Sequence, residues 1–218
     1  MNHKLEVDGI FLEFGNRKIL SDIYFKCETG NICGILGRNG QGKSCLMNIV
    51  YGSLKVESKS IRFDNNSIFK AYKRPDLITY LPQFNFIPKS LTLKRIFSDF
   101  DLDITEFLES FPDFKIKAKQ PIREFSGGQR RIVEVYAIIK SKSLFSMLDE
   151  PFSHIMPIQI EKFKQILKKE KEKKGFLITD HMYRHIVDLS DNLYILKEGK
   201  TYLTKESEDL QTLGYVKL

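Results

Sequence analysis

The sequence predicts an α/β fold. A parallel sheet covered by helices on both faces carries an antiparallel β subdomain at its N-terminus and a small helical subdomain inserted partway along. Three observations predict it. The first thirty or so residues alternate apolar and polar positions and end in turns, the pattern of short antiparallel strands half-buried on one face. Apolar runs and helical patterns alternate beyond Gln129, as a parallel sheet with crossover helices requires. Between these regions, Gly37-Arg38-Asn39-Gly40-Gln41-Gly42-Lys43-Ser44 fits G-x-x-x-x-G-K-[ST] and joins an apolar run to a helical one.

Taken in order, Leu5, Val7, Ile10 and Leu12 belong to one N-terminal strand, and Ile23, Phe25 and Cys27 to another. Thr29-Gly30-Asn31 turns the chain into the buried strand Ile32-Cys33-Gly34-Ile35-Leu36, and Lys43 to Tyr51 reads as a helix with Leu46, Ile49 and Val50 inward. A polar turn at Asp64-Asn65-Asn66 precedes the strand Leu77 to Leu81, which runs into Pro82-Gln83. From Phe84 to about Phe114 the texture becomes phenylalanine-rich, with Leu93, Phe97, Phe107, Leu108 and Phe111 near helical spacing. We read about 84–125 as an inserted helical lobe and this aromatic stripe as its core. Leu144 to Leu148 is a buried strand, Pro157 to Lys174 a helix and Phe176 to Thr179 a further strand. Neither repeat nor low-complexity linker interrupts the chain, which predicts one domain over 1–218.

Composition narrows the function. At 42% hydrophobic and 29% charged, the 218 residues have the balance of a soluble globular protein. No apolar run approaches the roughly 20 residues that span a bilayer, and the N-terminus lacks a signal pattern. Cys27, Cys33 and Cys45 are odd in number and lack paired zinc spacing, which reads as reduced thiols in a cytosolic protein. The net charge of +7 concentrates at Lys162 to Lys174, where Ile160, Phe163, Ile166 and Leu167 supply a buried helix face and the lysines a solvated one. Anionic lipid headgroups and nucleic acid are the other partners such a charge admits.

The loop carries the clearest chemistry. Gly37, Gly40 and Gly42 let the backbone curl its N–H groups inward onto phosphate oxygens, Lys43 brings a charge to the β and γ phosphates, and Ser44 offers a hydroxyl to Mg²⁺. Ser126-Gly127-Gly128-Gln129 is a second glycine turn that opens a helix, and a helix N-terminus attracts anionic phosphate. Asp149 and Glu150 close an apolar strand with side chains that point apart. Asp149 suits the Mg²⁺ shell, and Glu150 the base that orients or deprotonates a water.

The order Gly37–Ser44, Gln83, Ser126–Gln129, Leu148-Asp149-Glu150-Pro151 and His181 resembles the ATP-binding-cassette ATPases over nearly the whole chain. The resemblance implies a P-loop NTPase (RecA-like) core that hydrolyses ATP with Mg²⁺. It implies that Phe14 stacks on adenine, that Gln83 is a hinge glutamine sensing Mg²⁺ and the water, and that His181 contacts the γ-phosphate. Phe125 stands where the signature usually has leucine. The family implies a head-to-tail homodimer or heterodimer with two ATP between the chains, since the signature of one copy serves the nucleotide on another. A chain without a membrane span would then drive a separate integral membrane permease from the cytoplasmic face of the cell membrane.

Two residues depart from the pattern. Cys45 replaces a threonine, which removes a hydroxyl from the α-phosphate. Met156, in Phe152-Ser153-His154-Ile155-Met156-Pro157, replaces an aspartate that links the two sites. Short strings such as Tyr80-Leu81-Pro82-Gln83 look most like the lipopolysaccharide-export and branched-chain amino-acid groups. The alternative is a non-transport ATPase acting on nucleic acid or the ribosome, which the modest lobe and the single cassette disfavour.

Overall fold

The computed structural model describes residues 2–204. The expected single domain also takes in Met1 and residues 205–218, which lie outside the described residues.

Strands β1 (Lys4–Phe14), β2 (Arg17–Leu20) and β3 (Tyr24–Glu28) form the N-terminal antiparallel layer. Register explains its core: Leu5 faces Cys27 on one side and Phe63 on the other, and Val7 faces Phe25 and Ile61. All six are buried, because side chains of equal parity point to one face of the pleat. Strand β4 (Ile32–Leu36) is buried along its whole length and feeds helix α1 (Lys43–Tyr51), whose bounds agree with the sequence reading. Strands β5 (Ser58–Phe63) and β6 (Asn66–Ser67) return to the antiparallel layer. Asp64 and Asn65 take φ values of +48° and +69° between them, the left-handed pair that a tight hairpin turn demands.

Strand β7 (Ile78–Leu81) leads into the aromatic segment, where two short helices, α2 (Leu93–Asp99) and α3 (Ile104–Ser110), are followed by 3-10 turns at Pro112–Lys117 and Ile122–Glu124. Thr92 and Asp103 cap them by accepting from the Arg95 and Thr105 N–H groups. Phe107 is the hub of this region: its ring centroid lies 4.8 Å from Phe97, 5.0 Å from Phe114 and 5.0 Å from Tyr136. Tyr136 belongs to helix α4 (Gly127–Lys140), so one aromatic cluster joins the inserted segment to the helix that follows it.

Strand β8 (Phe145–Asp149), helix α5 (Pro157–Glu170), strand β9 (Gly175–Thr179), helix α6 (Tyr183–Leu189) and strands β10 (Asn192–Lys197) and β11 (Lys200–Thr204) complete the described chain. The central sheet runs β11-β10-β4-β9-β8-β7, parallel except for the β10–β11 hairpin. One core lies between this sheet, α1 and the antiparallel layer. The other lies under α4, α5 and the aromatic segment. Gly34 is required in β4, because a Cβ there would sit 2.3 Å from Ser190 Oγ and 2.5 Å from Ile186 Cγ2.

Two sequence expectations need correction. Helix α5 ends at Glu170 rather than Lys174, and the lysine stretch is not uniformly a solvated face. Lys174 is 3% exposed and turns inward to donate to Ile139 O and to the hydroxyls of Ser141, Ser143 and Ser146. Lys164 is also buried and pairs with Glu161 and Asp188. A lysine whose ammonium finds several oxygens can be buried, which periodicity alone does not reveal.

Candidate active site

The phosphate loop joins β4 to α1, with Gly40 at φ +80° and Gly42 at φ +96°. Gly37 packs so closely on β10 that a Cβ would lie 2.9 Å from Leu196 O. Gly42 caps α1 with no side-chain acceptor, and no acidic residue occupies the first turn of that helix. Its N–H groups therefore keep their affinity for an anion from outside. Lys43 is 7% exposed and donates to Gly37 O at 2.6 Å. Burial lowers its pKa, while Glu150, Asp149 and Asp180 favour its charge. A cation thus faces three carboxylates across the loop.

A cavity of about 520 Å³ opens above this loop. Asn39, Gly40, Gly42, Lys43, Ser44 and Cys45 line one side of it, with Phe14 and Ile19 from the antiparallel layer. Gln83, Glu150 and His181 close the other side. Most of the residues singled out in the sequence therefore meet around one space. Phe14 is 56% exposed, so its ring face is open to a flat ligand. Burial raises the pKa of the Cys45 thiol, with a further contribution from Asp149, which keeps it protonated.

Asp149 lies below the cavity rather than on its wall and is 1% exposed. Its Oδ1 accepts from Thr179 Oγ1 at 2.6 Å and its Oδ2 from Tyr80 OH at 3.3 Å, two bonds that fix the carboxylate's orientation. Burial, and then the charge of Asp149, push the Tyr80 pKa up, so this phenol remains a donor. Glu150 follows the strand with φ +48°, a left-handed backbone that costs a non-glycine residue roughly 1–2 kcal/mol. That turn separates its carboxylate from that of Asp149 and brings it to the cavity. His181 Nδ1 lies 3.6 Å from Glu150 Oε2 and 3.4 Å from Asp180 Oδ1. Asp180 is fully buried and accepts from the Met182 and Phe152 N–H groups, and burial raises its pKa.

The Ser126–Gln129 turn lies apart from this cavity. Ser126 Oγ accepts from Gln129 N at 3.2 Å, and Gln129 Oε1 accepts from Ser126 N at 3.1 Å, which makes a capping box. Lys117 Nζ also donates to Gln129 Oε1, at 2.8 Å. The chain thus consumes the donors of Ser126 and Gln129 that the sequence reading left to an anion. The first-turn N–H groups of Gly127 and Gly128 remain. Gly127 lines a second cavity of about 580 Å³ with Phe84, Asn85, Arg131, Ser153 and His154, and this space shares Gln83 and Glu150 with the first. Gly128 fits because a Cβ would stand 2.6 Å from His154 O.

Met156, 58% exposed, occupies the N-cap of α5 without a side-chain acceptor. The sequence reading assigned no role to Tyr80, Thr179, Asp180, Arg131 or Glu134. Arg131 and Glu134 were the most legible of these, as charges three apart on a helix otherwise apolar along that face.

These features define a nucleotide-binding α/β ATPase: a glycine loop at a helix N-terminus below a cavity that also holds a paired acid and histidine. The ABC transporter family pattern matches residues 20–153, and the chain belongs to this family of ATP-hydrolysing transporter subunits. A probable ABC transporter ATP-binding protein of Azorhizobium caulinodans is 30% identical, over 93% of this chain and 77% of that protein. The lipopolysaccharide export system ATP-binding protein LptB of Haemophilus influenzae is 29% identical, over 98% and 95%. In fold, the chain superimposes on the ATP-binding subunit of an ABC transporter with a TM-score of 0.78 at 19% identity, covering 96% of this chain and 93% of that one. On a bacterial Atm1-family ABC exporter with ATP bound, the TM-score is 0.84 at 15% identity, over 96% of this chain and 40% of that one.

Proposed function

We propose that the chain is the Mg-ATP-hydrolysing subunit of a transporter, pairing head-to-tail with a second ATPase chain around two ATP molecules and driving a separate membrane permease. The observation that carries this reading is the division of the site. Lys43, Gln83, Glu150 and His181 share one cavity, while Gly127 opens onto another that meets it at Gln83 and Glu150. A turn that lines a different cavity from its own loop is accounted for if it serves the nucleotide on a partner.

On this reading the α1 N-terminus, Gly40 and Gly42 bind the phosphates and Lys43 neutralises the β and γ groups. Phe14 stacks on the adenine. Glu150 takes the proton of the attacking water at its carboxylate, and His181, 3.6 Å away, steadies that carboxylate and the γ-phosphate. The donors also suit Mg²⁺. Among the described residues no cluster of three or more His, Cys, Asp or Glu could hold a metal unaided. Mg²⁺ is commonly held by one or two carboxylates together with substrate phosphates. Here Ser44 and Asp149 would hold it, with Gln83 beside them, and it would neutralise charge on the transferring phosphoryl group. Cys45 supplies no hydroxyl to the α-phosphate.

Among the described residues no helix is long and apolar enough to cross a membrane. This suits a subunit seated on a permease at the cytoplasmic face of the cell membrane. Similarity to a lipopolysaccharide-export relative supports a lean toward that branch, which the sequence strings share with the branched-chain amino-acid group. Nothing favours the nucleic-acid alternative. The test is turnover against protein concentration: MgATP hydrolysis should rise more steeply than linearly as chains pair. Strictly linear turnover from a monomer would overturn the shared site.

A further inference from the structure

Arg131 and Glu134 lie in the first two turns of α4, just past the Ser126–Gln129 turn, and are 4% and 0% exposed. Arg131 Nη1 donates to Pro82 O at 2.7 Å, and Nη2 donates to Asp149 O at 2.8 Å and Glu150 O at 2.9 Å. Glu134 Oε1 accepts from the N–H groups of Phe86 at 3.1 Å and Ile87 at 3.3 Å. These contacts grip the chain on both sides of Gln83 and at the carbonyl of Glu150. The two side chains are only loosely joined to each other, at 3.9 Å, and Arg131 Nε and Glu134 Oε2 have no hydrogen-bond partner. A buried charged pair of this kind is a poor source of stability. Its bonds go instead to the Glu150 carbonyl, to the carbonyl of Asp149 before it, and to backbone groups on either side of Gln83.

The backbone of Glu150 shows why such a grip matters. Its left-handed φ of +48° persists only if its surroundings hold it. Its N–H donates to Thr179 O at 2.8 Å, and its carbonyl accepts from Arg131. The planar guanidinium reaches three carbonyls of two segments at once, which a lysine ammonium on a flexible stem cannot reproduce.

We propose that Arg131 and Glu134 are positioning residues for ATP hydrolysis, holding Glu150 and Gln83 in fixed register with the Ser126–Gln129 turn one helical turn away. The inference rests on the Mg-ATPase reading above. Arg131→Lys keeps the charge and loses the fork. It should lower kcat by about tenfold or more while the KM for ATP and the affinity for a non-hydrolysable ATP analogue stay within about twofold. The paired change Arg131→Met with Glu134→Leu removes both buried charges, so the variant should stay folded. It should keep the kcat deficit and raise hydrogen exchange at the Phe86 and Ile87 amides by about tenfold or more. Unchanged kcat in folded Arg131→Lys, restored kcat in the paired variant, or unchanged exchange at Phe86 and Ile87 would each overturn the proposal. A wild-type chain that binds ATP without turnover would overturn the ATPase reading instead, and exchange would still decide whether the clamp holds the Gln83 segment.

Discussion

Replacing Lys174 by methionine tests how the fold tolerates a buried cation. The ammonium lies at the C-terminal end of α4, donating to Ile139 O at 3.3 Å, to Ser141 O, and to the hydroxyls of Ser141, Ser143 and Ser146 at 3.2, 3.3 and 3.0 Å. Burial brings its pKa down from the ordinary 10.5 to about 7, against the pull of Glu170. Between those values the unfolded chain binds a proton that the native chain does not. Stability from this group therefore rises as pH climbs from about 7 to 10.5 and is flat below 7. A drop of that size corresponds to at most about 5 kcal/mol. The surrounding oxygens and the favourable end of the α4 dipole retain part of the charge, so a gain of roughly 2–3 kcal/mol is expected. At about 2–4 °C per kcal/mol for a chain of this length, Tm relative to Lys174→Met should climb by roughly 5–10 °C between pH 7 and 10. Thermal unfolding of both proteins across that range supplies the difference and cancels the other titrating groups. Parallel Tm curves, or a wild type that weakens relative to the variant at high pH, would refute the reasoning.

Gly42→Ala would place a Cβ 2.7 Å from Ile19 Cγ2 on a backbone at φ +96°. It should cost about 2 kcal/mol or more of stability. Nucleotide affinity should fall by at least about tenfold; wild-type affinity in a nucleotide titration of the folded variant would contradict the cradle assigned to the loop. Met156→Asp gives α5 the N-cap acceptor it lacks, since only the Gln159 side chain, 3.4 Å from Met156 N, engages that cap. Thermal unfolding should show a gain of about 1 kcal/mol. If the missing aspartate limits communication, ATP hydrolysis should also become more cooperative in ATP; an unchanged Hill coefficient would separate the cap from the coupling.

Much of the fold was legible because its signals are local. The strand before the phosphate loop is apolar throughout, the loop glycines fix the turn, and Lys43 to Tyr51 carries a clean helical period, so both elements fall at their expected bounds. The end of α5 was not legible. The lysine pattern continues past Glu170, and the reversal depends on Lys174 reaching oxygens of α4 and β8 that are distant in sequence. The site divides in the same way. Residues that face the nucleotide come in short motifs, and ten of those expected line one cavity: Phe14, Asn39, Gly40, Gly42, Lys43, Ser44, Cys45, Gln83, Glu150 and His181. Residues that hold those motifs in place, such as Thr179 and Tyr80 around Asp149 or Arg131 behind Glu150, act through contacts between separate strands and helices. No spacing rule connects them. The Ser126–Gln129 turn is a different case: its S-x-x-Q spacing is already a capping-box signature, and the box occupies part of the donor set that the sequence reading left to an anion.

Glu150→Gln tests the central claim most directly. The amide keeps the shape of the side chain beside His181 and removes the base, a change worth about 10²–10⁴-fold in turnover. The account requires that the purified variant bind MgATP, lose hydrolysis by at least about a hundredfold, and accumulate as a dimer with two ATP bound, read together by phosphate release and light scattering. A variant that hydrolyses ATP at the wild-type rate, or that stays monomeric when saturated with ATP, would contradict it.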